Sequence, residues 1–284
     1  MPSYAKQKPF IPNRPRPQRM RGRALNPNAA IEARYYETLR RLIEEMIRGT
    51  HAELAKLFAA PPAEQYFAQD ATVAEQAKVV MADLRARFEA IFDLASKPVA
   101  TRMIAQESQS SAASLQTSLG AISGGLTIKT DFITGGVREV LQASVAENVG
   151  LIKSIPGEYF AQVSGAVMRS ITTGNGLQDL VPFLRKYEGV TIRRARTIAA
   201  DQTRKAFSNL NFARMKRVGI KQYEWLHSAG SQKPRKLHIA MSGKIYDLDK
   251  PPIIDEKTGQ RGKPGDLINC RCRMVPIINF DDRT

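Results

Sequence analysis

The chain has 284 residues, 43% hydrophobic and 25% charged, a balance that fits one large globular domain or two modest ones. A formal charge of +16 sits mostly in two stretches. Residues 1–31 hold seven basic and no acidic residues, and residues 185–217 hold ten basic against two acidic, which implies a polyanionic or acidic partner. Two cysteines in total exclude a disulfide scaffold, and no apolar run has the length of a signal core or a membrane span. The expectation is therefore a protein made in the cytosol and acting away from membrane.

Residues 1–28 read as a basic tail, extended or ordered by a partner. Six prolines interrupt helix there, and Arg14, Arg16, Arg19, Arg21 and Arg23 offer contacts to phosphate or acidic protein. A helix starts near Asn28, with Ile31, Tyr35, Leu39, Leu42, Met46 and Ile47 on one stripe. Gly49-Thr50 reads as a break, after which the pattern resumes to Phe58. Ala71 to Ile91 predicts a second amphipathic helix with Lys97-Pro98 as its stop, followed by more helix over 99–115. Residues 116–136 are Gly-rich and fit a loop, a short hairpin from Leu126 to Ile133, or a joint. Val137 to Ile152 and Glu158 to Ile171 read as helices separated by Pro156-Gly157, and Thr173-Gly174-Asn175-Gly176 reads as a turn.

Leu177 to Lys186 and Thr191 to Val218 complete the helical part. In the second of these, Ile192, Ala195, Ala199, Ala206 and Leu210 share a narrow packing face. Arg193, Arg194, Arg204 and Lys205 are expected to face outward, as a surface for nucleic acid or acidic protein. Beyond Gly219 the pattern changes to strand and turn. Lys221 to His227 alternates, Lys244 to Leu248 is a short strand, and Asn269 to Ile278 forms a last strand with Cys270, Cys272 and Met274 on one face. The fold class is α+β: a helical domain over 29–176 and a small α+β module over 177–284, behind the tail.

Thiols two residues apart in extended chain point the same way, so Cys270 and Cys272 can reach one metal ion, with His238 as a third ligand. Zinc accepts this donor set, and a structural site needs a fourth ligand, for which His227, Asp201 and Asp266 are open alternatives. No P-loop, dinucleotide fingerprint, GxSxG or HExxH occurs, and no carboxylate pair has spacing that demands acid/base work, so the chain reads as a non-enzyme. The competing reading is a metal-dependent enzyme acting on nucleic acid or nucleotide through His238, Cys270 and Cys272.

From Arg196 onward the chain resembles the phage Mu F-like head-morphogenesis family. The blocks are Arg196-Thr197-Ile198-Ala199, then Asp201-Gln202-Thr203, Ala206-Phe207 and Leu210-Asn211. They continue with Gly219, Tyr223-Glu224-Trp225, Arg235, His238, Met241 and Gly243-Lys244-Ile245-Tyr246, and close with Pro264-Gly265-Asp266 and Ile268-Asn269-Cys270-Arg271-Cys272. The resemblance implies a low-copy minor capsid protein of a tailed bacteriophage, in the virion at the portal or inner capsid. Its partners would be the portal protein, the major capsid or scaffolding protein and packaged double-stranded DNA bound without sequence preference. It also implies a metal-binding or fold-stabilising role for the His and Cys residues. One departure is Ser231-Gln232-Lys233-Pro234, where such proteins often carry an acidic residue ahead of the Arg-x-x-His segment.

Overall fold

The computed structural model describes residues 19–59, 73–122, 129–133, 135–173, 176–228, 230 and 233–279. Periodic apolar spacing produces four long helices: α1 (Ala29–Ala59), α2 (Val73–Gly120), α3 (Gly136–Thr173) and α4 (Gly176–Arg217). The Asn28 side chain accepts from the Ala30 backbone N–H and so caps α1. Helix α4 packs on each of the other three, and α2 packs on α1 and α3 as well.

The helices are longer than proline and glycine signals suggest. Gly49-Thr50 does not break α1. Gly49 lies under the Phe88 ring, where a Cβ would come within 2.8 Å of a ring carbon, so this glycine serves close approach of α1 to α2. Pro98 does not stop α2, and Pro156 does not separate two helices but lies inside α3. Pro98 removes the partner of the Leu94 carbonyl, yet Leu94 is 79% exposed and water can replace the lost donor. Pro156 is buried, so packing of its ring offsets the missing bond. Likewise Leu177–Lys186 and Thr191–Val218 are one helix, with Pro182 in its second turn. The turn expected at 173–176 falls where α3 ends and α4 begins, with Gly174 and Asn175 outside the described residues.

Beyond α4, Gly219 takes φ +79°, and the Ile220 N–H reaches back to the Met215 carbonyl, a left-handed helix stop that needs glycine. Short elements complete the described fold: β1 (Arg19–Arg21), β2 (Gln222–Leu226), α5 (Lys236–Met241), β3 (Ile245–Asp247), the hairpin β4 (Ile253–Asp255) with β5 (Gln260–Arg261), and β6 (Arg273–Asn279). The main sheet has the order β1-β6-β2-β3 and is antiparallel throughout. Within β2 the alternation holds: Tyr223 and Trp225 are fully buried.

Part of the expected tail is therefore an edge strand. Arg19 pairs with Asn279 and Arg21 with Ile277, while Gly22 N–H and Leu25 N–H donate to the Pro276 and Met274 carbonyls. Residues 129–133 contain no strand, and the rest of the hairpin expected from Leu126 lies outside the described residues.

Two apolar cores result. One fills the interior of the four helices, from Ile31 and Leu39 to Phe88, Phe160 and Ala199. The other joins Tyr223, Trp225, Met241 and Met274 of the C-terminal module to Leu115 and Leu119 of α2, Phe207 and Met215 of α4, and Leu25. Helix α4 thus serves both. Buried polar residues also lie on these helices: Glu107, Ser108 and Ser111 on α2, Asn148 on α3, and Gln202, Asn211 and Arg214 on α4. Arg214 is 1% exposed and donates to the Thr130 carbonyl and to the hydroxyls of Ser111 and Ser108, fixing the 129–133 segment to α2 and α4.

Candidate metal centre and basic surfaces

His238, Cys270 and Cys272 do come together. One donor atom from each lies within 4.8 Å of the others. Cys270 Sγ is 3.6 Å from His238 Nδ1, and Cys272 Sγ is 3.7 Å from the same nitrogen. His238 stands on α5, a six-residue helix that sequence periodicity does not announce. The cysteines are not in a strand, as expected from the alternation, but in the approach to β6. Asn269, at φ 62°, turns the chain just before Cys270, and Asn is among the residues that tolerate this region.

Each ligand is held from behind. The His238 Nε2 lies 3.1 Å from the Ile254 carbonyl, which can only accept. Nε2 is therefore placed to donate there, which leaves Nδ1 facing both sulfurs. The Gly265 N–H points at Cys270 Sγ at 3.4 Å. Gly265 (φ +95°) is in a loop packed against α4, where Ser208 donates to the Pro264 carbonyl. Arg235, three residues ahead of His238, donates to the Ile268 carbonyl and so ties the start of α5 to the cysteine loop. The Trp225 ring meets His238 edge-on at 5.0 Å between centroids.

Electrostatically, the two thiols share one proton. The Cys272 S–H, then His238 and the Gly265 and Cys272 backbone N–H groups, pull the Cys270 thiol far below its ordinary value. The same bond, together with burial, pushes Cys272 up.

Of the three alternatives for a fourth ligand, the structure separates one from the others. Asp201 is engaged by Lys205 at 3.0 Å, and Asp266 by the backbone N–H and ammonium of Lys263. His227, just past the end of β2 and in register with Tyr223 and Trp225, has its Nδ1 3.6 Å from Cys272 Sγ. Period-two alternation in the sequence already carried this signal. It did not carry the roles of Arg235 and Trp225, which depend on segments far apart in the chain.

A cleft of about 280 Å³ opens beside the cluster, lined by Arg204, Ser208, Arg271 and Arg273 among others, and reaches only Cys272 of the three. Two of its arginines serve the backbone and a neighbouring side chain: Arg271 donates to the Gly230 carbonyl and Arg273 to the Asn26 amide oxygen.

The basic positions sort differently from expectation. Of the four α4 cations expected to face outward, Arg193 alone is exposed. Arg194 pairs with Glu158 at 2.8 Å, Arg204 with Glu32 at 2.8 Å, and Lys205 with Asp201 and Glu147. These cations do not form one outward face, because α4 is packed by three helices and its polar side meets acidic residues of α1 and α3. At the N-terminal edge, Arg19 and Arg23 are exposed, while Arg21 makes a two-pronged contact with Glu224 at 2.6 and 2.8 Å. Arg14 and Arg16 lie outside the described residues.

The molecule so defined is a mainly helical α+β protein whose small C-terminal module gathers a His/Cys cluster. Residues 161–275 match the family described as Phage Mu protein F like protein, so this region of the chain is phage Mu F-like. The match begins in the second half of α3, about 35 residues ahead of the first motif block, and leaves α1 and α2 outside it. A protein of Haemophilus influenzae described as an uncharacterized protein is 33% identical over 147 residues, which is 52% of this chain and 31% of that protein. The chain thus matches about a third of that relative's length. No solved structure matches it.

Proposed function

We propose that the protein is a low-copy minor head protein of a tailed bacteriophage, docked at the portal or inner capsid, where it supports head assembly or DNA delivery. The phage Mu F-like match over 161–275 carries this reading. The match falls on the second half of α3, on α4 and on most of the C-terminal module, with the His/Cys cluster inside it. Many of the matching positions are structural in kind: Gly219 stops α4, Tyr223 and Trp225 fill the second core, and Gln202 joins α4 to Asn148 of α3. Such positions suit a framework that presents surface to other proteins. No helix among the described residues is long and apolar enough to cross a membrane.

In this reading the exposed cations Arg19, Arg23 and Arg193, with the basic residues of 1–18, meet packaged DNA or acidic portal surface. Phosphate contacts of that kind position a protein without reading sequence. The portal is tested by co-expressing the chain with the portal protein of the same genome and resolving the mixture by size. Co-elution with portal rings at a fixed ratio is expected, and elution of all the chain as free protein would overturn portal docking.

A further inference from the structure

We infer that His238, Cys270 and Cys272 hold a structural zinc ion that locks the C-terminal module together, with His227, beside Cys272, turning inward as the fourth ligand.

Geometry comes first. With zinc–sulfur bonds of about 2.3 Å and zinc–nitrogen bonds of about 2.05 Å at a tetrahedral angle, sulfur and nitrogen ligands stand about 3.6 Å apart. The three sulfur–nitrogen separations here are 3.6, 3.7 and 3.6 Å. Two of them join His238, Cys270 and Cys272, whose donor atoms all lie within 4.8 Å of one another, and the third sets His227 beside Cys272, outside that group. Separations of this size suit hydrogen bonds to sulfur and equally match the sulfur–nitrogen edges of a zinc tetrahedron.

His238 Nε2 faces the Ile254 carbonyl, which leaves Nδ1 as the ring atom that both sulfurs approach almost equally. A cation between them satisfies the nitrogen and both sulfurs at once. The Gly265 N–H is aimed at Cys270, and the fully buried Trp225 indole N–H beside the cluster has no hydrogen-bond partner among the described residues. The Ile254 carbonyl behind His238 supplies the outer contact expected for a metal-bound imidazole. Two nitrogens with two sulfurs select zinc over magnesium or calcium, which prefer oxygen.

The location explains why an ion belongs there. The ligands come from the end of β2, from the six-residue α5 and from the approach to β6, and the contacting residues are 32 to 45 positions apart. Apart from β6, the elements of this module contain two to six residues each, too few to stand alone. A metal crosslink compensates for a small core. With His227 turned in as the fourth ligand no position remains for water, so the ion would be structural.

The test uses the full chain purified without chelator. About one zinc per chain by elemental analysis is expected. After zinc removal, added cobalt should give the intense visible absorption of a tetrahedral thiolate complex, and melting should occur at lower temperature without metal than with it. His238→Ala, Cys270→Ser and His227→Asn should each weaken metal binding by at least about 100-fold, the upper range for loss of a supporting contact. Zinc below a tenth of an equivalent, together with only weak octahedral cobalt absorption in the unmutated chain, would overturn the site. Unchanged affinity in a folded His227→Asn protein would overturn the four-ligand set. The unmutated chain suffices to decide whether the site exists, so a variant that fails to fold does not rescue the idea. Neither outcome bears on whether the protein is a head component.

Discussion

Glu107 offers a sharp perturbation. Its side chain is fully buried on α2, and neither carboxylate oxygen has a hydrogen-bond partner among the described residues. Burial, then repulsion from Glu32, pushes its pKa up to about 8, against a smaller opposing pull from Arg34. In the unfolded chain it ionises near the ordinary carboxylate value of about 4.5. Between these values the unfolded state has lost a proton that the folded state keeps. The extra stability is therefore complete below about pH 4.5, declines as pH rises, and is lost once pH has passed about 8. A gap of about 3.5 units at about 1.4 kcal/mol each gives on the order of 5 kcal/mol across the window, an upper bound if the interior relaxes. Glu107→Gln keeps the shape and removes the titration. Urea unfolding followed by fluorescence of Trp225, the chain's one Trp, should show the variant gaining on the parent by several kcal/mol from about pH 5 to about pH 8. Other titrating groups, and any metal, are common to both proteins and cancel in the difference. A difference that stays constant across that range would refute a neutral buried Glu107.

Further outcomes follow from particular contacts. Gly49→Ala should destabilise the fold by about 1–3 kcal/mol in thermal unfolding, since the new methyl meets the Phe88 ring at 2.8 Å and overpacking outweighs the helix propensity gained. Arg214→Met should cost about 2–3 kcal/mol by the same assay, because the Thr130 carbonyl and the Ser108 and Ser111 hydroxyls lose a buried donor. Arg21→Ala should cost less than about 1 kcal/mol, because Arg21 is 55% exposed in its pair with Glu224. Deleting residues 1–18 removes Lys6, Lys8, Arg14 and Arg16. If these touch duplex DNA, the salt dependence of binding should become shallower by roughly 3–4 units of log–log slope, whereas an unchanged slope would remove the tail from the DNA contact.

The helical architecture was legible because buried residues such as Ile31, Tyr35 and Leu39 recur at helical spacing whatever their partners. The stops were not, because Pro98, Pro156 and Gly49 act through tertiary surroundings: an exposed residue one turn back at Leu94, a buried ring, and a phenyl ring from another helix. The metal-ligand candidates were legible from residue type alone. Choosing His227 over Asp201 and Asp266 required knowing that Lys205 and Lys263 already engage those carboxylates. The basic face of α4 misled for the same reason. Its charge is evident in sequence, but Glu32, Glu147 and Glu158, which receive Arg204, Lys205 and Arg194, come from other helices.

A low-copy place in the phage head is tested most directly by quantitative mass spectrometry of purified heads from the source phage, with and without DNA. A few copies of this chain per particle are expected in both. Its absence from both would contradict the head-protein reading.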